Sequence, residues 1–338
     1  MNILIVDDDD IVRSMLANTL EWAGYAVEVA ADGREALEKL RTGSCRMVIS
    51  DWTMPEMDGI ELCRAVRGGD FPAYVYIILL TGRSGTQDIV DGLSAGADDF
   101  IAKPFQPAEL SVRVRAGERI LALETRDLAI FAMAKLAESR DPETGVHLDR
   151  MRRYSRLIAH HLSQQEAFRD RVTADYVRMI YLTSPLHDIG KIGIPDSVLL
   201  KPGRLSPREF EVMKKHTLIG AETLDAALRQ HPGVEFLRMA RDIALTHHEH
   251  YDGNGYPAGL AGEEIPLCGR IVALADVYDA LIAKRVYKEA FSHDVARGIL
   301  LEGAGSHFDP AVVDAFVQNE EKFVAIKEEF AEAEAVLV

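Results

Sequence analysis

The stretch THHEHYDGNGYP, residues 246–257, sets three histidines within four positions, with carboxylates at Glu249 and Asp252 beside them. Imidazole and carboxylate without thiolate suit a divalent first-row metal. On a helix, side chains that meet on one face stand three or four residues apart. By that spacing His247 and His250 pair, whereas the adjacent His247 and His248 are an odd couple for one ion. Such a cluster needs partners from elsewhere in the chain.

All eleven histidines lie at or beyond His147, so the search falls on the second half. SPLHDIGKIGIPD carries adjacent His187 and Asp188, with Lys191 three residues on. VMKKHTLIG supplies His216, and ALADVYDALIAKRVYK supplies Asp276, Asp279, Arg285 and Lys288. RDPETGVH holds Asp141, Glu143 and His147. Pro185 must kink a helix or leave a carbonyl free, which is tolerable beside a functional site. His160 and His161, in LIAHHLSQQ, have no such company and read as surface residues. His231 reads as a loop residue, His293 as a helix start and His307 as structural.

A second group of reactive side chains is acidic and lies near the N-terminus. Asp7 and Asp8 follow the apolar run NILIV, Asp51 follows RMVIS, Thr81 follows YVYIILL, and Lys103 follows DFIA. With YAVEVA these make five short apolar runs, separated by amphipathic stretches such as DIVRSMLANTLEWAG. The alternation predicts an α/β doubly wound, five-stranded parallel sheet with helices on both faces. Sites in such sheets form at the carboxyl ends of strands, where these residues fall. Asp9 and Asp10 read as solvated or as caps of the next helix.

From Gln106 to Ser139 the pattern is helical, and the remainder is predominantly helical without strand alternation. Leu110, Val114, Leu121 and Leu128 give a partial heptad stripe that could pair with a second copy, or the helix could dock on its own domain. The expected division is residues 1–120, a linker helix over 121–139, and an all-α domain over 140–338. A net charge of −16 over 338 residues argues against DNA or anionic membranes as partners. Three cysteines without a CxxC give no disulfide framework. No apolar run approaches the ~20 residues of a membrane helix. Met1 leads directly into a strand-like run, so a cytoplasmic location is expected.

The first 120 residues resemble the receiver (CheY-like, flavodoxin-like) domain of two-component response regulators. The resemblance implies Asp51, in SDWTMPEMDG, as phosphoacceptor, and Asp7, Asp8 and Asp51 around Mg²⁺. It implies Thr81 and Lys103 against the phosphoryl oxygens, a cis Lys103–Pro104 bond, Phe100 as switch aromatic, and a sensor histidine kinase as partner.

The second half resembles the HD superfamily of metal-dependent phosphohydrolases. HDIGKIGIPD together with HHEHYDGNGYP is similar to its HD-GYP branch, whose members hydrolyse cyclic dinucleotides, chiefly cyclic di-GMP. The implied metal ligands are His187, Asp188, His216, His247, His248 and Asp276, with His147, and Asp188 as the bridging carboxylate. Glu143 either adds a third ion or caps the following helix. The adjacent pair His247–His248 is expected to diverge toward different ions, and His250 to be a bystander. Lys191 is expected to reach a phosphate or the leaving oxygen, Arg285 and Lys288 to contact phosphate, and Asp141 and Asp279 to touch substrate or support the site. Val286 stands where the family has proline. Tyr256 either stacks on a guanine or packs the turn, and Gly253 and Gly255 allow that turn.

The expected activity is a phosphorylation-regulated cyclic di-GMP phosphodiesterase yielding pGpG or GMP. A bi- or trinuclear iron or manganese centre would supply a metal-bound hydroxide nucleophile, with Asp188 and Lys191 as the catalytic residues. A different cyclic dinucleotide such as 3′,3′-cGAMP remains open as substrate. The alternative is a catalytically weak cyclic-dinucleotide sensor, or an adaptor that binds a diguanylate cyclase (GGDEF-domain protein) through the GYP loop, and the mark of either would be missing ligands. A DNA-binding regulator lacks support, since no compact basic helix-turn-helix pattern occurs.

Overall fold

The structure, a computed structural model, describes all residues except 70, 72–73, 83–85, 141–145, 284–289 and 337–338. It divides into two compact units, Met1–Leu128 and Ala129–Val338.

The first unit is a five-stranded parallel sheet of β1 (Asn2–Val6), β2 (Ala26–Ala30), β3 (Met47–Asp51), β4 (Tyr76–Thr81) and β5 (Asp99–Ala102). The strand order is β2-β1-β3-β4-β5. Its connecting helices are α1 (Asp10–Trp22), α2 (Gly33–Arg41), α3 (Gly59–Gly68) and α4 (Thr86–Ser94), followed by the long α5 (Pro107–Glu138). Central strands β3 and β4 are almost wholly buried, as continuous apolar runs in a doubly covered sheet must be. Asp9 caps α1, its carboxylate accepting the backbone N–H groups of Ile11 and Val12. The carboxyl edge of the sheet thereby gathers Asp7, Asp51 and Thr81, with Lys103 just beyond β5.

The heptad stripe on α5 has a different use from a free seam. Leu110, Val114 and Leu121 are buried against Ile3, Ile5, Met47 and Ile78 of the sheet, and only Leu128 of the stripe is exposed. The amphipathic signal was real, but its partner is the sheet of the same chain. Farther along α5, Ile130, Phe131 and Ala134 pack with Leu148, Leu224 and Ala240 of the second unit's core.

The second unit comprises α6 (His147–Ser163), α7 (Ala174–Thr183), α8 (Asp196–Leu199), α9 (Pro207–Met213), α10 (Lys215–Gln230), α11 (Glu235–Thr246), α12 (Leu267–Ile282), α13 (His293–Glu302), α14 (Pro310–Val317) and α15 (Glu320–Val336). Two 3₁₀ turns, Ser184–Leu186 and Ile189–Gly193, link α7 to α8. The core lies where α6 crosses α12, with Tyr154 stacked on Phe323 at 4.6 Å and edge-on to Tyr278 at 5.3 Å. Among the described residues no helix is long and apolar enough to cross a membrane.

Candidate metal centre

Pro185 ends α7 and starts the first 3₁₀ turn, so the chain bends immediately before His187. The turn leaves the Ser184 carbonyl available, and His187 Nδ1–H donates to it at 3.0 Å. The other histidines repeat the device. His216 Nδ1 donates to Met213 O at 2.7 Å, and His247 Nδ1 to Ile243 O at 3.0 Å. His147 Nδ1 donates to the Asp279 carboxylate at 2.7 Å. An acceptor on Nδ1 fixes the tautomer and leaves the Nε2 lone pair for a metal.

The imidazole nitrogens and carboxylates form two groups. Asp188, His216, His247 and His248 offer ligand atoms within 4.8 Å of one another, and so do His147, His187 and Asp276. Asp188 joins them: Oδ1 lies 3.2 Å from His216 Nε2, and Oδ2 lies 3.2 Å from His187 Nε2. Asp276 Oδ1 stands 3.7 Å from His147 Nε2 and 3.8 Å from His187 Nε2. Gly190 makes the convergence possible, since a Cβ there would sit 1.9 Å from the His216 carbonyl oxygen.

The electrostatics suit cations. Burial opposes the charge on Asp188, but the Lys191 ammonium and the neighbouring imidazoles outweigh it and hold the carboxyl well below its usual range. Lys191 Nζ is 2.8 Å from Asp188 Oδ2. Burial depresses His216, His247 and His248, the last to about 3, so these imidazoles stay neutral and able to ligate. Burial also pulls His187 down, but Asp188 more than compensates and raises it. Among the described residues, the buried atoms His187 Nε2 and Asp188 Oδ1 have no hydrogen-bond partner. Left that way they would be costly, so a divalent metal fits the donor set.

Two expectations require correction. His247 and His248 do not diverge toward different groups; their rings lie 4.1 Å apart in one group. Helix α11 stops at Thr246, so both sit in a turn where helical spacing does not apply. Asp279 does not face substrate: it is 1 % exposed and bonded to His147 and Arg150. Asp141, Glu143, Arg285 and Lys288 lie outside the described residues. His250 joins neither group; its ring lies tilted against that of His307, centroids 3.9 Å apart. One face of Tyr256 lies on His248, ring centroids 4.8 Å apart.

Sequence reasoning passed over Arg150 and Glu249. Arg150, one helical turn after His147, holds Asp279 through Nε at 2.7 Å. Glu249 is 2 % exposed and accepts the backbone N–H groups of Ala258 at 2.7 Å and Leu260 at 3.1 Å. It closes the loop that carries Tyr256. Gly255 permits the closure, since a Cβ there would lie 2.2 Å from the His250 nitrogen. Position i+3 from a candidate ligand was the one available signal for Arg150; nothing local marked Glu249 as buried.

In the first unit Asp7, Asp8 and Asp51 form a third group within the same 4.8 Å. Lys103 Nζ reaches Asp51 Oδ1 at 2.5 Å and Asp7 Oδ2 at 3.1 Å. Burial pulls its ammonium down, but the two carboxylates outweigh that and raise it. The Lys103–Pro104 bond is cis, Thr81 is buried at the end of β4, and Phe100 is half-buried beside Leu79.

Comparison with known proteins agrees with this two-part reading. Residues 3–115 match the response regulator receiver domain, and residues 132–312 match the HD domain. A probable cyclic di-GMP phosphodiesterase of Vibrio cholerae is 40% identical over 99% of this chain and 81% of its own length. The cyclic di-GMP phosphodiesterase response regulator RpfG of Xanthomonas campestris is 38% identical, over 99% of this chain and 92% of its own. A cyclic di-GMP phosphodiesterase of Thermotoga maritima is 34% identical, over 96% and 92%. The chain belongs to the response regulators that join an N-terminal receiver domain to a C-terminal HD domain of the HD-GYP type.

Proposed function

We propose that this chain is a receiver-regulated, metal-dependent phosphodiesterase acting on cyclic di-GMP. The observation that carries the reading is Asp188, whose two oxygens face two separate groups of buried imidazoles at 3.2 Å each. One carboxylate shared in this way is the arrangement a paired-metal phosphodiester site needs. The named activities of the full-length relatives support the substrate.

His216, His247 and His248 would hold one ion, and His147, His187 and Asp276 the other, with Asp188 between them. Iron or manganese suits this mixed nitrogen and oxygen set. When bound, such ions supply an activated water at neutral pH and neutralise charge on the phosphate. The chain does the rest. Asp188 is held as a carboxylate by Lys191, and Lys191 keeps a proton on Nζ for the leaving 3′ oxygen. Water adds to phosphorus and gives up a proton, the P–O3′ bond breaks, and the 3′ oxygen takes the proton from Lys191. The proton released by the water restores the ammonium, so the ring opens to pGpG. A second hydrolysis would give GMP.

In the receiver, Asp51 is the proposed phosphoacceptor, Asp7, Asp8 and Asp51 would hold Mg²⁺, and a sensor histidine kinase would be the donor. Lys103 and Thr81 would contact the phosphoryl group, with Phe100 responding.

The test is purification with metal analysis, then turnover of cyclic di-GMP with and without an acyl phosphate donor. Cleavage by the metal-loaded chain, lost in Asp188→Ala, is the expected result. Metal-loaded protein that leaves every cyclic dinucleotide intact would overturn the reading.

A further inference from the structure

A path of ring contacts leads out of the metal centre to a side chain with no role so far. His248 stacks on Tyr256, and Tyr256 meets Phe210 edge-on, ring centroids 6.1 Å apart at 80°. Lys214 Nζ stands 5.1 Å from the Phe210 centroid and 5.4 Å from that of Tyr256. Phe210 is nevertheless 43% exposed. A phenylalanine that merely braced the Tyr256 loop would bury its ring; this one leaves much of its surface to solvent.

Its placement is firm. Helix α9 opens on a capping box of Ser206 and Glu209, with Glu209 also bound to Lys201 at 2.6 Å. The same helix ends at Met213, whose carbonyl orients His216. One short element thus sets both a metal ligand and the exposed ring. Lys214, paired with Glu211 at 2.8 Å, keeps its ammonium beside both rings, where an anion attached to a stacked base would meet it.

We propose that Phe210, flanked by Tyr256 and Lys214, is a stacking platform for a purine base of a nucleotide whose phosphate lies at the metal groups. The proposal deepens the phosphodiesterase reading and rests on it for the identity of the site. Bases stack on aromatic side chains with little regard for sequence, and the cation beside the ring adds attraction for the attached phosphate. Phe210 is therefore a specificity-determining residue that favours nucleotides over other phosphate esters.

Calorimetry on the metal-loaded full chain tests this with two probes, GMP and ribose 5-phosphate, which share a phosphate and differ in the base. Phe210→Ala should weaken GMP binding about tenfold. It should leave ribose 5-phosphate affinity and metal content unchanged, and Phe210→Trp should restore GMP binding. Equal GMP affinity in wild type and Phe210→Ala, equal weakening of both probes, or no GMP binding by wild type would each overturn the platform. Turnover of cyclic di-GMP is measured separately. Base-dependent GMP binding without turnover sinks the enzymatic reading alone, and turnover without base dependence sinks the platform alone.

Discussion

His147 donates its Nδ1–H to Asp279 at 2.7 Å, and Arg150 grips the same buried carboxylate through Nε at 2.7 Å and a second nitrogen at 3.0 Å. Burial opposes the Asp279 charge, but these two partners outweigh it and keep the carboxyl below its usual range. Asp279 would thus act on the metal centre through the candidate ligand His147, without itself joining either ligand group. Asp279→Asn is expected to lower metal affinity about 10- to 100-fold. Asp279→Ala is expected to cost about 3–5 kcal/mol of stability, because Arg150 loses its buried counter-charge. Metal titration and urea unfolding read the two effects. Wild-type affinity in the Asn variant would refute the positioning role.

The bridging geometry of Asp188 makes a sharper demand on metal counting. Asp188→Ala should reduce occupancy in both groups, whereas His216→Ala should empty only its own. Metal analysis by mass spectrometry on the two purified variants decides it. Equal losses from the two substitutions would mean that the groups do not share a ligand.

Glu249 should act on the loop and leave the metals in place. A carboxylate that accepts two backbone N–H groups, replaced by Gln, keeps one acceptor oxygen and loses its charge. The expected cost is about 1–3 kcal/mol. Tyr256 then becomes less well held, so KM for cyclic di-GMP should rise while metal content stays constant. A Glu249→Gln variant with normal stability and KM would show that the loop closes without it.

His307 supplies a pH effect. Burial first, then the adjacent His250, pushes its imidazole down to about 4. An unfolded histidine titrates near 6.5. Between those values the unfolded chain binds more protons than the folded one, so unfolding free energy rises with pH across that window. This contribution is present above about pH 6.5 and is lost as pH falls toward 4. His307→Asn should flatten the difference in unfolding free energy between pH 7 and pH 5 relative to wild type. A parallel loss in both proteins would contradict the assignment.

Asp51→Asn should abolish incorporation of acid-labile phosphate from an acyl phosphate donor, and Asp8→Ala should weaken it by loosening the cation. Radiolabel retained by Asp51→Asn would move the acceptor elsewhere.

Much of this protein was legible in its residues. Alternation of apolar runs and amphipathic stretches specifies a doubly wound sheet, because strand and helix periods leave different marks on the same chain. The ends of those strands could be located, so Asp7, Asp51, Thr81 and Lys103 could be assigned to one edge. The ligand types were equally plain, since chemistry depends on which atoms a side chain carries. How those atoms are shared was not. Whether His247 pairs with His248 or His250 depends on a helix ending at Thr246. Whether Leu110, Val114 and Leu121 form a seam or a core depends on the sheet beneath them. Asp279 and Glu249 look like any acids near a site until burial gives them only histidine, arginine or backbone N–H groups to meet. Local sequence sets composition and period; the division into two ligand groups, the fixed tautomers and the exposed ring of Phe210 arise from contacts between segments far apart in the chain. Only the folded packing decides those.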